Sequence, residues 1–192
     1  MHFEIKTFDI PELSGISTKT IDEHLKLYAG YVKHVNTINE KINELSNDLE
    51  KNTYIIAETQ RRLGFEFGGM RNHEYYFKQF ENGACELPEG KLKNKIEQQY
   101  GQIDVWQNAF KNIGLTRGVG WAMLYYDQQT DQLVQTWVDE QHLGQLPDMN
   151  IVLALDMWEH SYLMDYTPGD KKQYVDAFFR NLNWEVVSSR IN

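Results

Sequence analysis

The chain has 192 residues, 41% hydrophobic and 24% charged, long enough to bury a core and too apolar to stay disordered. Its formal net charge of −9 speaks against general nucleic-acid binding, and no apolar run approaches the roughly 20 residues of a membrane span. The single Cys85 cannot close an internal disulfide and the N-terminus lacks a basic stretch leading into an apolar one, so the expected setting is the reducing cytoplasm.

Residues 1–16 hold Pro11, Gly15 and scattered apolar side chains, and read as an extended arm. Ser17 to Thr20 offer helix caps, with Asp22 and Glu23 suited to a first turn. A helix is expected from Ile21 to about Leu45, with Leu27, Tyr31, Val35, Ile38 and Ile42 as its apolar stripe. His24, Tyr28 and Tyr31 form a second stripe at i, i+4 and i+7. After a break at Ser46-Asn47-Asp48, Asn52 to Phe80 reads as a second helical region interrupted by Gly64 and by Gly68-Gly69. Each glycine costs about 1 kcal/mol of helix propensity. Two together, just ahead of His73, suggest that something large packs on the backbone there.

Asn82-Gly83 and Pro88-Glu89-Gly90 mark the expected boundary between a unit of residues 1–86 and one of 87–192. Helical patterning resumes through Leu92, Ile96, Val105, Trp106 and Phe110, with a break near Gly101. Trp121–Tyr126 and Gln132–Val138 are β-rich runs around a polar turn, a hairpin signal. Ile151 to Leu155, apolar throughout, reads as a central strand. Lys171 to Leu182 is helical, and Asn183-Trp184 begins a short last turn. The fold class is α+β, an N-terminal α-helical hairpin followed by a C-terminal domain with a three-stranded antiparallel sheet.

Directly after the apolar run comes Asp156-Met157-Trp158-Glu159-His160. Aspartate oxygen and imidazole nitrogen together suit a borderline metal such as Mn, Fe or Zn. By itself the pair fits better a strand-end Asp capping a helix, with the histidine among core aromatics. His24 and His73 are further candidates from two distant helices. Three imidazoles and one carboxylate form a mixed N/O set that zinc would also accept.

The segments Tyr31-Val32-Lys33-His34-Val35-Asn36, Gly68-Gly69-Met70-Arg71-Asn72-His73, Arg117-Gly118-Val119-Gly120-Trp121, Asp156-Met157-Trp158-Glu159-His160 and the tail from Tyr174 to Trp184 resemble the iron/manganese superoxide dismutase family along nearly the whole chain. The resemblance implies one Mn or Fe ion per subunit, held by His24, His73, Asp156 and His160, with a solvent molecule in the fifth position. It implies disproportionation of superoxide to O₂ and H₂O₂ by a homodimer or higher homo-oligomer. Tyr31 resembles the family's gateway tyrosine, and Trp121 and Trp158 its aromatic wall. Glu159 resembles the residue that bonds a ligand His of the partner subunit. No nucleic-acid or membrane partner is implied.

The chain also departs from that pattern. His24 and Tyr31 are seven residues apart where most members have eight, which implies that one residue, a π-bulge, is absent from this helix. Ligation by Glu23 instead is the less favoured alternative. Tyr28 stands where the family usually has His, and Leu163 where it has Tyr, a pair that normally meets across the dimer interface. Gly69 occupies a position where many iron members carry the Gln that bonds the solvent ligand. That group would then come from the loop after Val138, with Gln141 and His142 as candidates and His142 favoured. The altered Tyr28 and Leu163 also motivate a competing reading, a metal store or sensor without efficient turnover.

Overall fold

The computed structural model describes residues 2–191. Met1 and Asn192, the outer ends of the two expected units, lie outside the described residues. The chain begins as the expected arm and then enters α1 (Thr18–Leu45). Ser17 caps that helix by accepting a hydrogen bond from the Thr20 N–H at 3.2 Å. The buried stripe runs through Ile21, His24, Tyr28, Val32, Val35 and Ile38. Leu27, expected in the core, is 43% exposed. The buried face centres on His24, Tyr28 and Val35, and Leu27, three residues past His24, falls at its margin.

A turn of 3₁₀-helix over Ser46–Asp48 closes the hairpin, and α2 (Leu49–Lys78) returns antiparallel to α1. It runs without interruption through Gly64, Gly68 and Gly69, contrary to the expected breaks. These glycines admit other groups against the helix rather than ending it. After a loop come α3 (Lys91–Tyr100) and α4 (Ile103–Gly114). They are separated at Gly101, whose φ of 81° suits glycine.

The sheet is antiparallel, in the order β2-β1-β3, with β1 (Gly120–Asp127) central between β2 (Gln132–Asp139) and β3 (Asn150–Asp156). The apolar β3 is therefore an edge strand, not the central one expected from its composition. It is apolar because α2 and the C-terminal segment cover it. Gln79, just past α2, donates to the Ala154 carbonyl at 2.6 Å and accepts from the Ala154 N–H at 3.4 Å. Arg190 donates to the Val152 carbonyl at 2.9 Å. At the opposite edge, Gln99 of α3 donates to the Leu133 carbonyl at 3.0 Å and accepts its N–H at 2.7 Å.

Two further helices finish the chain, α5 (Lys171–Arg180) and α6 (Trp184–Ser188). Asn183 caps the second by accepting from the N–H groups of Glu185 and Val186. Tyr76 and Phe80 from the hairpin meet Phe178 of α5, one core shared by both halves. No helix among the described residues is long and apolar enough to cross a membrane.

Candidate metal centre

Four elements deliver the four candidate ligands. His24 lies six residues past the start of α1, and His73 sits on α2. Asp156 is the last residue of β3, and His160 lies in the 3₁₀ turn Glu159–Ser161. The turn after the strand brings His160 back to Asp156. The Trp158 N–H donates to Asp156 Oδ1 at 2.8 Å, which fixes the carboxylate and leaves Oδ2 facing inward. The Nε2 atoms of His24 and His160 each lie 3.1 Å from that oxygen, and Nε2 of His73 lies 3.5 Å from it. One ligand atom from each residue falls within 4.8 Å of all the others. Ligands about 2.1 Å from a common ion would sit only slightly closer than that across the site. Glu23 lies outside the cluster, paired with Lys26 on the surface.

The donor chemistry tests the fit. His73 Nδ1 is 2.6 Å from the Gly69 carbonyl. A carbonyl only accepts, so Nδ1 carries the proton and Nε2 presents a lone pair. That lone pair points at a carboxylate oxygen, and His73 Nε2 has no hydrogen-bond partner among the described residues. Lone pair against lone pair in a fully buried site is unfavourable unless a cation lies between. Protonation agrees. Burial pushes the imidazoles of His24 and His73 down, further for His73. Burial alone would raise the Asp156 carboxyl, but the charges and hydrogen bonds of His160 and His24 outweigh it and hold the group well below the usual carboxylate range. With the imidazoles neutral, a cation among them would supply the positive charge that keeps Asp156 ionised, and neutral imidazoles with an ionised carboxylate are the state that binds a metal. The four residues fit a single ion.

Around this cage the walls are aromatic. Trp121 is fully buried, 5.1 Å from the His73 ring between centroids, and the Tyr31 ring is 5.1 Å away on another side. Trp158 stacks on His160 at 5.9 Å and donates its indole N–H to the Glu140 carbonyl at 3.1 Å. Gln141, fully buried, joins two of these walls. Its Oε1 accepts from the Trp121 indole at 2.9 Å and its Nε2 donates to the Tyr31 hydroxyl at 3.0 Å. His142, the favoured of the two loop candidates, points elsewhere. Its ring sits edge-on to Phe65 at 5.9 Å, over Gly64. The loop conformation sets which of the two side chains turns inward, since Glu140 takes φ 52°, left-handed backbone that directs Gln141 toward Trp121 and Tyr31.

The glycines on α2 now have reasons. A Cβ on Gly69 would lie 2.5 Å from the Tyr31 ring, and one on Gly68 would lie 2.2 Å from the Gln141 carbonyl oxygen. Tyr28 stays beside the cage but turns its hydroxyl away. That hydroxyl receives the Lys6 N–H at 3.1 Å and donates to Glu74 at 3.3 Å. Lys6 and Arg71 each close on Glu74 at 2.6 Å. The sequence reading missed Lys6 and Glu74, and only the spacing Arg71–Glu74 on one helix hinted at the pair. Leu163 is exposed, as is Glu159.

A helical hairpin and an antiparallel α+β domain that clamp three imidazoles and one carboxylate define a mononuclear metalloprotein. The model of the iron/manganese superoxide dismutase α-hairpin domain matches residues 11–81, and that of the C-terminal domain matches residues 88–190. An iron superoxide dismutase from Cupriavidus metallidurans is 36% identical over 93% of this chain and 90% of its own length. One from Aquifex aeolicus, also iron, is 32% identical over 93% and 85%. A manganese superoxide dismutase from Mycolicibacterium fortuitum is 33% identical over 94% and 85%. The chain belongs to the iron/manganese superoxide dismutase family.

Proposed function

We propose that the protein disproportionates superoxide with one iron or manganese ion per subunit, in the balance 2 O₂⁻ + 2 H⁺ → O₂ + H₂O₂. The observation that carries this is three imidazole Nε2 atoms gathered around one oxygen of Asp156, one of them presenting a lone pair with no hydrogen-bond partner among the described residues. The bound ion supplies the one-electron oxidation and reduction. The chain supplies everything else. Trp121, Tyr31 and Phe65 keep bulk water from the buried ligands. Gln141 spends one of its two amide N–H bonds on Tyr31 and has the other to give. Because Tyr31 accepts from Gln141, its own O–H is free to donate. Burial first, then the charges of Asp156 and Glu66, raise the Tyr31 pKa, so the phenol stays protonated at neutral pH and holds a proton at the edge of the site.

In the same reading Glu159 reaches a second copy. It is exposed beside His160, whose Nδ1 has no hydrogen-bond partner among the described residues. A two-fold axis would let each Glu159 bond the other subunit's His160, fixing its tautomer. Leu163 and Met164, 42% and 50% exposed, offer apolar surface beside that contact. Residues 1–86 and 87–192 then act as two units that share one ion, in the cytoplasm. The test is superoxide consumption by purified protein reconstituted with iron or with manganese, together with its measured metal content. Turnover far above that of the same concentration of free metal is expected. A full complement of metal with negligible turnover would replace this reading with that of a metal store.

A further inference from the structure

We infer that Gln145 and Asn72 are positioning residues that set where the Gln141 amide stands. The inference rests on the reading of Gln141 just given, and concerns what holds that side chain in place.

The loop after β2 is short and closed on itself. Asp139 and Leu143 exchange two backbone hydrogen bonds, at 2.9 and 3.1 Å, with Glu140 left-handed and Gly144 at φ 90°. Gln141 sits at its turn. The carbonyls of both peptide groups that flank its Cα are held. The Glu140 carbonyl takes the Trp158 indole N–H. The Gln141 carbonyl takes Asn72 Nδ2 at 3.0 Å and Gln145 Nε2 at 3.3 Å. That same Gln145 nitrogen donates to Asn72 Oδ1 at 2.9 Å. An amide nitrogen only donates, so Gln145 fixes which way the Asn72 amide faces and leaves Asn72 Nδ2 aimed at the Gln141 carbonyl.

The triangle is tight because Gly68 lets it be. With a Cβ at residue 68 only 2.2 Å from the Gln141 oxygen, that carbonyl would have to lift off α2 and Asn72 would lose it. Asn72 is fully buried and directly precedes His73, and Trp158 is two residues before His160. The loop that carries Gln141 is thus tied on each side to a segment that carries a ligand. Shifting it by a few tenths of an ångström would lengthen both side-chain bonds of Gln141, to Trp121 and to Tyr31.

Gln145→Met keeps the length of the side chain and removes the donor, and Gln145→Glu puts an acceptor against two acceptors. Gln141→Ala serves as reference. Two quantities are measured, the solvent exchange of the Trp121 indole N–H in metal-free protein by NMR and the midpoint potential of the metal-loaded protein. Gln145→Met is expected to speed the indole exchange about tenfold, the factor one weakened hydrogen bond gives, and to move the potential in the same direction as Gln141→Ala but by less. Gln145→Glu is expected to do both more strongly, while thermal melts stay close to the parent because Gln145 is only partly buried. If neither Gln145 variant changes the indole exchange, the positioning role is overturned. If Gln141→Ala leaves the potential unmoved, the reading of Gln141 fails instead, and the metal-free indole measurement still decides on Gln145 and Asn72.

Discussion

From Glu66 to Phe77, α2 buries nine of its residues, whereas from Leu49 to Phe65 it buries none. The root of the hairpin carries two ligands, two glycines that admit other groups and a close aromatic packing around His24 and His73. The tip exposes Leu49, Tyr54 and Ile55 at 61%, 78% and 51%. It is held by local bonds instead. Asp48 caps α2 through the Lys51 N–H, Asn52 reaches back to the Leu45 carbonyl at 2.9 Å, and Arg61 pairs with Glu58 on the surface. Such exposed pairs add little stability. One helix can therefore be fixed by tertiary contacts and a metal at one end, and by propensity and capping at the other.

Removing the metal should separate the two ends most sharply. An ion at a thousandfold excess over its Kd stabilises the folded state by about 4 kcal/mol. Chelation should lower the melting temperature and speed hydrogen exchange from Glu66 to Phe77, with little change from Leu49 to Gln60. Equal acceleration along the whole of α2 would show that the hairpin opens as one unit.

Next in size is a pair of alanine substitutions with opposite signs. Gly68→Ala drives a Cβ into a backbone carbonyl and should cost about 3 kcal/mol in urea unfolding, the upper range of overpacking. Gly30→Ala on α1 meets nothing within 4 Å and should stabilise by up to about 1 kcal/mol. A neutral Gly68→Ala would mean that the loop seat at the root is looser than described.

The smallest effect concerns Tyr28, also at the root. Burial lifts its phenol from 10.0 to about 12. The folded chain therefore keeps this proton where the unfolded chain has lost it, so the stability it contributes is present below pH 10 and declines as pH rises from 10 towards 12. Tyr28→Phe should flatten that alkaline decline by its own share only, since Tyr125 is raised to a similar degree. Urea midpoints at pH 9 and pH 11 measure it, and an unchanged slope would place the Tyr28 hydroxyl in water rather than against Glu74.

The sequence made parts of this legible for physical reasons. The short Asp156–His160 motif and the glycine pair ahead of His73 report constraints within a few residues of chain. The strand order did not show, because apolar composition says only that β3 is covered, and Gln79 and Arg190 cover it from far away in sequence. Leu27 was misplaced because two apolar stripes share α1 and only packing selects one. The choice between Gln141 and His142 depends on one left-handed residue, Glu140, which carries no glycine to announce it.

Gln79 and Gln99 act alike at the two margins of the sheet. Each presents a side-chain amide to the N–H and C=O of one strand residue, Ala154 at one margin of the sheet and Leu133 at the other. A primary amide has the same donor and acceptor as a peptide group, so each glutamine stands in for one residue of a neighbouring strand. Exposed margins are where sheets from separate molecules join and grow into aggregates. Each glutamine thus closes one residue of its margin with a side chain that offers no onward ladder, which shortens the edge open to another copy.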